Sequence, residues 1–189
     1  MEFVIDNTTS WIIDGEKIST VSSASLTVLP GNINANALRG TIGSNLTING
    51  TGIPADLKLT FGKYNSSKFA NIYKLVNNKP VFQSCTKISD DGSALISGMS
   101  NSGKYVVMVC KFSEIVGDVN NDGVVNALGA SAILKKVVKI SDVENPLMSD
   151  FNNDGTINAR WTLQRYSDIL QNAEPIYPHY QNRHTYLNA

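Results

Sequence analysis

Two short segments of the chain concentrate oxygen-bearing side chains at alternating positions. The first runs from Asp118 to Ala127 (DVNNDGVVNA) and the second from Asp150 to Ala159 (DFNNDGTINA). Seven of the ten aligned positions are identical, and the second copy follows the first by 32 residues. In each copy acidic or amide side chains occupy positions one, three and five, and glycine follows at position six. This spacing lets a curling backbone point several oxygens at one ion, which is the coordination that Ca²⁺ prefers.

The pattern predicts which groups would bind the ion. They are the side chains at positions one, three, five and nine and the backbone carbonyl at position seven. The predicted ligands are Asp118, Asn120, Asp122, Val124 and Asn126 in the first loop, and Asp150, Asn152, Asp154, Thr156 and Asn158 in the second. Val125 and Ile157, at position eight, are expected to hold the two loops against a shared core. Asx-rich turns could explain one such copy, but two copies in register favour metal binding.

Neither loop has the carboxylate that normally completes such a site at position twelve. Gly129 stands there in the first loop and Trp161 in the second. Water can replace a missing ligand because Ca²⁺ accepts flexible coordination. The sequence therefore predicts up to two weakly bound Ca²⁺ ions. We expect the first loop to bind better, since Trp161 is bulky and precedes a connection that is three residues shorter.

Helical patterns follow both loops. Apolar residues fall on one face of each predicted helix: Ala130, Ile133, Leu134, Val137 and Val138 after the first loop, and Leu163, Tyr166, Ile169 and Leu170 after the second. Between the copies, Ser141 and Glu144 have capping-box spacing, which predicts the start of a short helix.

The first 115 or so residues have the patterns of β-strands. Leu57, Leu59 and Phe61 alternate with polar residues, and turn signals such as Asn77-Asn78 and Asp91-Gly92 separate similar runs. These features predict a β-sandwich, with two β-units meeting near residues 50–54 as the alternative. The expected fold is multidomain, β plus α: a sandwich at 1–114, a small all-α module of paired loop–helix repeats at 115–172, and a tail at 173–189.

Composition and charge exclude several classes of function. Sixteen basic residues balance sixteen acidic ones, which argues against nucleic acid or an anionic membrane as the main partner. No apolar run is long enough to insert into a membrane. Cys85 and Cys110 are interpreted as half-buried strand thiols, although one disulfide is possible. No nucleophile–base pair or carboxylate pair stands out, so the protein is not expected to be an enzyme.

The double loop–helix over about 116–170 resembles the EF-hand-like dockerin module of cellulosomal proteins. The resemblance rests on 117–128 (GDVNNDGVVNAL), on the second copy through Arg160, and on the helical segments 130–136 and 163–166. It implies a non-catalytic, secreted module that binds a cohesin of a scaffoldin. The implied setting is extracellular or at a bacterial cell surface, in a complex that degrades plant polysaccharide. The β-region is similar, more loosely, to the immunoglobulin-like or X-type modules beside dockerins.

The resemblance also implies a docking surface on the repeat helices and the loop ends leading into them. Carried onto this chain, it comprises Ala127, Leu128, Leu134, Lys135 and Lys139, together with Ala159, Arg160, Gln164 and Arg165. Small apolar residues beside long cationic side chains suit an interface with an apolar centre and a charged rim. The alternative function is a calcium-stabilised adhesion or carbohydrate-binding module. That alternative requires Trp11, Tyr64, Phe69 and Tyr73 to form one exposed stripe.

Overall fold

Two compact units make up the chain, Met1–Lys111 and Phe112–Ala189. The computed structural model describes residues 1–18, 25–51, 54–99, 101–151, 155–158, 164 and 167. The predicted bounds 1–114 and 115–172 stay a prediction, as does the tail at 173–189, which lies outside the described residues.

The first unit is built from antiparallel strands. Its described part contains β1 (Glu2–Asp6), β2 (Thr9–Ile12), β3 (Ser25–Pro30), β4 (Thr41–Thr51), β5 (Asp56–Thr60), β6 (Phe69–Val76), β7 (Lys79–Lys87), β8 (Ser93–Ile96) and β9 (Gly103–Cys110). One sheet has the strand order β1-β2-β5-β8, and the other has the order β3-β4-β9-β6-β7. The β-rich character predicted for this part of the chain is confirmed.

Apolar residues from both sheets form one core. Leu57 on β5 is fully buried and pairs with Trp11 on one side and Ile96 on the other, so this row faces inward. Ile48 on β4 and Val107 on β9 belong to the same cluster from the second sheet. The two sheets therefore enclose one sandwich core, and the alternative of two β-units meeting near residues 50–54 is wrong. Both cysteines are half-buried thiols on strands, Cys85 on β7 and Cys110 on β9.

Two predicted turns occur where the sequence places them. Asn77 and Asn78 join β6 to β7, and both have positive φ, 50° and 60°, which asparagine tolerates in tight hairpins. Gly92 also has positive φ, and a Cβ there would lie 2.3 Å from the carbonyl carbon of Gly62. The close approach of these two loops therefore requires glycine at position 92.

The second unit contains helix α1 (Ala127–Val137) and a short 3-10 helix, Pro146–Met148. The helix predicted to start at Ser141 is wrong, because residues 141–145 are not helical. Pro146 explains this: the residue before proline is disfavoured in the helical region, whereas proline itself suits the first helical position. The helix predicted after the second loop lies outside the described residues, apart from Gln164 and Ser167, which are helical.

Helix α1 buries only part of the apolar face that its sequence presents. Ile133 is fully buried, as predicted for the apolar face, and Gly129, which was not assigned to that face, is buried as well. Leu134 and Val138, however, are 40% and 63% exposed. The predicted apolar face is therefore only partly buried, because the module's core lies nearer the Gly129–Ile133 side. An apolar strip of the helix remains in solvent.

Candidate calcium loops and docking face

The first loop closes on the carboxylate of Asp118. Its Oδ1 accepts a hydrogen bond from the backbone N–H of Asp122 at 3.0 Å, and its Oδ2 accepts one from that of Gly123 at 2.9 Å. Gly123 has φ of +91°, so the sharp turn at position six uses the backbone freedom of glycine. The Asp118 side chain is buried, and this burial raises the pKa of its carboxyl group, against the hydrogen bonds from Ser113, Gly123 and Asp122.

Asp122 joins the other polar side chains of this loop. Its Oδ1 accepts from the backbone N–H of Val124 at 2.8 Å. Its Oδ2 accepts from the amide nitrogens of Asn120 at 2.7 Å and Asn126 at 3.2 Å. The structure therefore brings together the side chains at positions one, three, five and nine.

Asn126 connects the loop to the helix. Its Oδ1 accepts hydrogen bonds from the backbone N–H groups of Leu128 at 2.8 Å and Gly129 at 3.3 Å, which makes it the N-cap of α1. One residue thus belongs to the loop and starts the helix. Because its oxygen already caps the helix, Asn126 suits the water-mediated role that position nine often has in calcium loops.

The candidate ligand atoms of the first loop fit a hard cation. All of them are oxygens, and the buried Oδ1 of Asn120 accepts no hydrogen bond. The Asp118 carboxylate is also buried, and a buried anion is stabilised by a nearby cation. The set is short of ligands, since Gly129 adds no side-chain oxygen. Among the described residues, no three His, Cys, Asp or Glu side chains are grouped so that they could hold a metal.

The second loop repeats the closing hydrogen bond of the first. The backbone N–H of Gly155 donates to Oδ2 of Asp150 at 2.8 Å, and Gly155 has φ of +84°. Of the other predicted ligands, Thr156 is exposed and Asn158 half-buried. Asn152 and Asp154 lie outside the described residues, as does Trp161. At positions one and six, the two loops have the same local geometry.

One small core holds the two loops. Val119 and Ile133 are fully buried at its centre, and Val125, Phe151 and Ile157 pack against them. These loop residues come from positions two and eight of both copies. The prediction that position eight holds both loops on a shared core is confirmed.

Comparison with known families identifies this part of the chain. Residues 116–160 match the family model of the dockerin type I domain. This segment is a dockerin module. Dockerin type I domains are non-catalytic, bind calcium and dock onto cohesins in cellulosome-type complexes. No curated protein and no solved structure matches the chain. The upstream sandwich is consistent with the β-module expected beside a dockerin.

The predicted docking residues on α1 and just after it lie on the surface of the dockerin module. Leu128 is 67% exposed and Leu134 is 40% exposed, and Ala127, Lys135 and Lys139 are exposed as well. Gln164 is exposed too, whereas Ala159, Arg160 and Arg165 lie outside the described residues. The first repeat therefore presents its five predicted contacts to solvent.

Further apolar residues on and around α1 are exposed beyond the predicted set. They include Val124, Val137, Val138 and Ile140. The sequence pattern places Val137 and Val138 on the buried face of the helix, whereas Val124 precedes α1 and Ile140 follows it. The i,i+4 spacing of Leu134 and Val138 was a usable signal, since residues four apart are neighbours on a helix surface.

The aromatic stripe that a carbohydrate-binding function required is not formed. Trp11, Phe69 and Tyr73 are buried, with at most 4% of their surface exposed. Tyr64 is exposed but has none of these three rings beside it on the surface. Among the described residues, no helix is long and apolar enough to cross a bilayer.

Proposed function

We propose that this protein is a non-catalytic docking protein whose dockerin module binds a cohesin of a scaffoldin. In this role it would attach its polypeptide to a polysaccharide-degrading complex outside the cell or at a bacterial cell surface. The observation that carries the proposal is the exposed apolar strip on α1, which begins directly at a loop of the matched dockerin segment.

The strip has the composition of an interface centre. Leu128, Leu134 and Val138 expose apolar side chains along α1 and at its C-cap, and the exposed Lys135 and Lys139 add positive charge to the same stretch. Apolar centres with charged rims are common in protein interfaces, where the charges contribute to orientation and association rate. A cohesin surface with an apolar patch and acidic surroundings would complement it. The second repeat would add Ala159, Arg160, Gln164 and Arg165.

Calcium has a structural part in this proposal. Asp118, Asn120, Asp122 and the carbonyl of Val124 would hold one ion, with Asn126 acting through water. The second loop would use Asp150, Asn152, Asp154, Thr156 and Asn158. Binding would stabilise the loops from which the docking helices start. The missing twelfth ligands would place the affinity in the weak range of extracellular modules, about 10⁻⁴ to 10⁻³ M.

A pull-down with a panel of cohesins tests the docking function. The double variant Leu128→Ala, Leu134→Ala should weaken binding to the cohesin that is captured by at least about tenfold, because each leucine loses apolar burial in the complex. Leu95→Ala is the matched control, since Leu95 is an exposed leucine on β8 of the sandwich. Circular dichroism should be unchanged in both variants.

Two results would contradict the proposal. One is unchanged cohesin affinity in the double variant. The other is retention of the protein on insoluble polysaccharide without capture by any cohesin, which would favour the carbohydrate-binding alternative.

A further inference from the structure

A buried asparagine lies between the two loops and bonds to the entrance of the first. Asn145 is 1% exposed and precedes Asp150, the first residue of the second loop, by five positions. Its side-chain nitrogen donates to the carbonyl oxygens of Ser113 at 2.9 Å and Asp118 at 3.2 Å. Its backbone N–H donates to the carbonyl of Val119 at 2.9 Å. One residue thus holds three carbonyls around the start of the first loop.

A second connection runs beside these bonds. The backbone N–H of Gly117 donates to the carbonyl of Met148 at 3.0 Å. The carbonyl of Asn145 in turn accepts from the N–H of Met148 at 3.1 Å and the hydroxyl of Ser149 at 3.2 Å. We call the bonds from Asn145 to Ser113, Asp118 and Val119, with the Gly117–Met148 bond, the clasp. It joins the backbone just before the second loop to the backbone at the start of the first.

The donor side of the Asn145 amide makes these bonds. Its Oδ1 is buried and accepts no hydrogen bond, so the side chain contributes through its nitrogen alone. Buried carbonyls that lose such a donor are destabilised, so a side chain without a hydrogen-bond donor at this position should weaken the clasp. Asp118 is held on both sides, by its carbonyl in the clasp and by its carboxylate in the first loop.

This arrangement has a consequence for metal binding. Ordering of either loop restricts the clasp, and a restricted clasp lowers the entropy that the other loop must lose when it binds. Two sites connected in this way have a coupling free energy, and each raises the affinity of the other by the same factor.

We propose that Asn145 is a positioning residue that couples calcium binding at the two loops of the dockerin module. The proposal rests on the calcium sites proposed above and adds that the loops bind cooperatively through this side chain. It predicts positive cooperativity that disappears when the amide is removed, even though Asn145 itself ligates no ion.

Titration calorimetry on the full chain, with calcium alone as the probe, tests the coupling. Asp150→Ala disables the second loop, and we expect it to weaken calcium binding at the first loop by about fivefold or more. In an Asn145→Ala background the same change should alter the first-loop affinity by less than about twofold. Ile133→Val, which trims the core of the module but removes no clasp hydrogen bond, should lower stability and leave the cooperativity intact.

Hydrogen exchange provides a measurement that needs no change at Asn145. Asp118→Ala disables the first loop but keeps its backbone carbonyl. Calcium bound to the second loop should then protect the Gly155 amide and also slow exchange at the Gly117 and Asn145 amides by about fivefold or more.

Three outcomes would overturn the coupling. The first is that Asp150→Ala changes the first-loop calcium affinity equally in the parent and in the Asn145→Ala background. The second is that calcium protects the Gly155 amide from exchange but not the Gly117 and Asn145 amides. The third is that the full chain binds no calcium. The cohesin pull-down remains a separate test, because a protein that docks without cooperative calcium binding would keep the proposed function and lose only the clasp.

Discussion

The Asp118 carboxylate both closes the first loop and is its first predicted calcium ligand. Asp118→Ala removes two hydrogen bonds to backbone N–H groups, and we expect a loss of about 1–3 kcal/mol in the module's free energy of unfolding. The same variant should lose the stronger of the calcium sites seen by titration calorimetry.

Asp142→Ala is the control for this prediction, since Asp142 is an exposed carboxylate paired with Lys136 outside the loops. An exposed pair contributes only about 0–1 kcal/mol, and calcium affinity should be unchanged. Equal calcium binding by the Asp118 variant and the parent would show that the first loop is not the site.

Asp91 makes the sandwich sensitive to acid. Its Oδ1 accepts from the hydroxyls of Ser89 and Ser93 and from the backbone N–H of Ser93, and these bonds lower the pKa of Asp91 from 3.8 to about 2. Because the folded state holds this proton less tightly than the unfolded state, the stabilising contribution is full above pH 3.8 and is lost as the pH falls towards 2.

Melting curves between pH 5 and pH 2 measure this contribution. Asp91→Asn should lower the melting temperature of the sandwich at pH 5, and the difference from the parent should shrink towards pH 2. Asp90→Asn, at the neighbouring exposed position, is the control and should follow the parent throughout. A difference that is independent of pH would contradict the assignment.

At the scale of elements, α1 ends in an unfavourable backbone conformation. Lys139 follows the helix with φ of 60°, and the N–H of Ile140 returns to the carbonyl of Lys135 at 2.8 Å. Glycine is the residue usually found at such a helix end. We expect Lys139→Gly to stabilise the module by about 0.5–1 kcal/mol in chemical denaturation, and to weaken cohesin binding if Lys139 lies in the interface.

Lys135→Gly is the matched control, because it removes a lysine of the same surface from inside the helix. There glycine costs about 1 kcal/mol, so stability should fall where Lys139→Gly raises it. If Lys139→Gly does not raise the free energy of unfolding, the positive φ at Lys139 does not destabilise the parent.

At the scale of the whole molecule, each unit has a core of its own among the described residues, and this predicts two unfolding transitions. Leu57 is fully buried in the sandwich and Ile133 in the dockerin module. Calorimetry should show that Leu57→Ala lowers the melting temperature of one transition and Ile133→Ala that of the other. Each variant should reduce the free energy of unfolding of its own unit by about 2–5 kcal/mol. Calcium should raise only the transition that Ile133→Ala lowers. One transition shifted equally by both variants would mean that the two units unfold together.

The features that could be read from the sequence are those with short-range causes. The Asp118–Gly123 turn, its repeat at Asp150–Gly155 and the Asn77–Asn78 hairpin depend on side chains and backbone angles within a few residues. The alternation of apolar and polar residues around Leu57 also has a local cause, because a period of two separates the buried face of a strand from its exposed face.

Other features depended on what packs against each element. Trp11 and Leu128 are both apolar residues in regular segments, yet the sandwich buries the first and the module leaves the second in solvent. Asn145 showed no signal in the sequence, since its three carbonyl partners at 113, 118 and 119 lie 26 to 32 positions away. Local pattern determines which elements form, whereas burial and long-range hydrogen bonding exist only once the chain brings distant residues together.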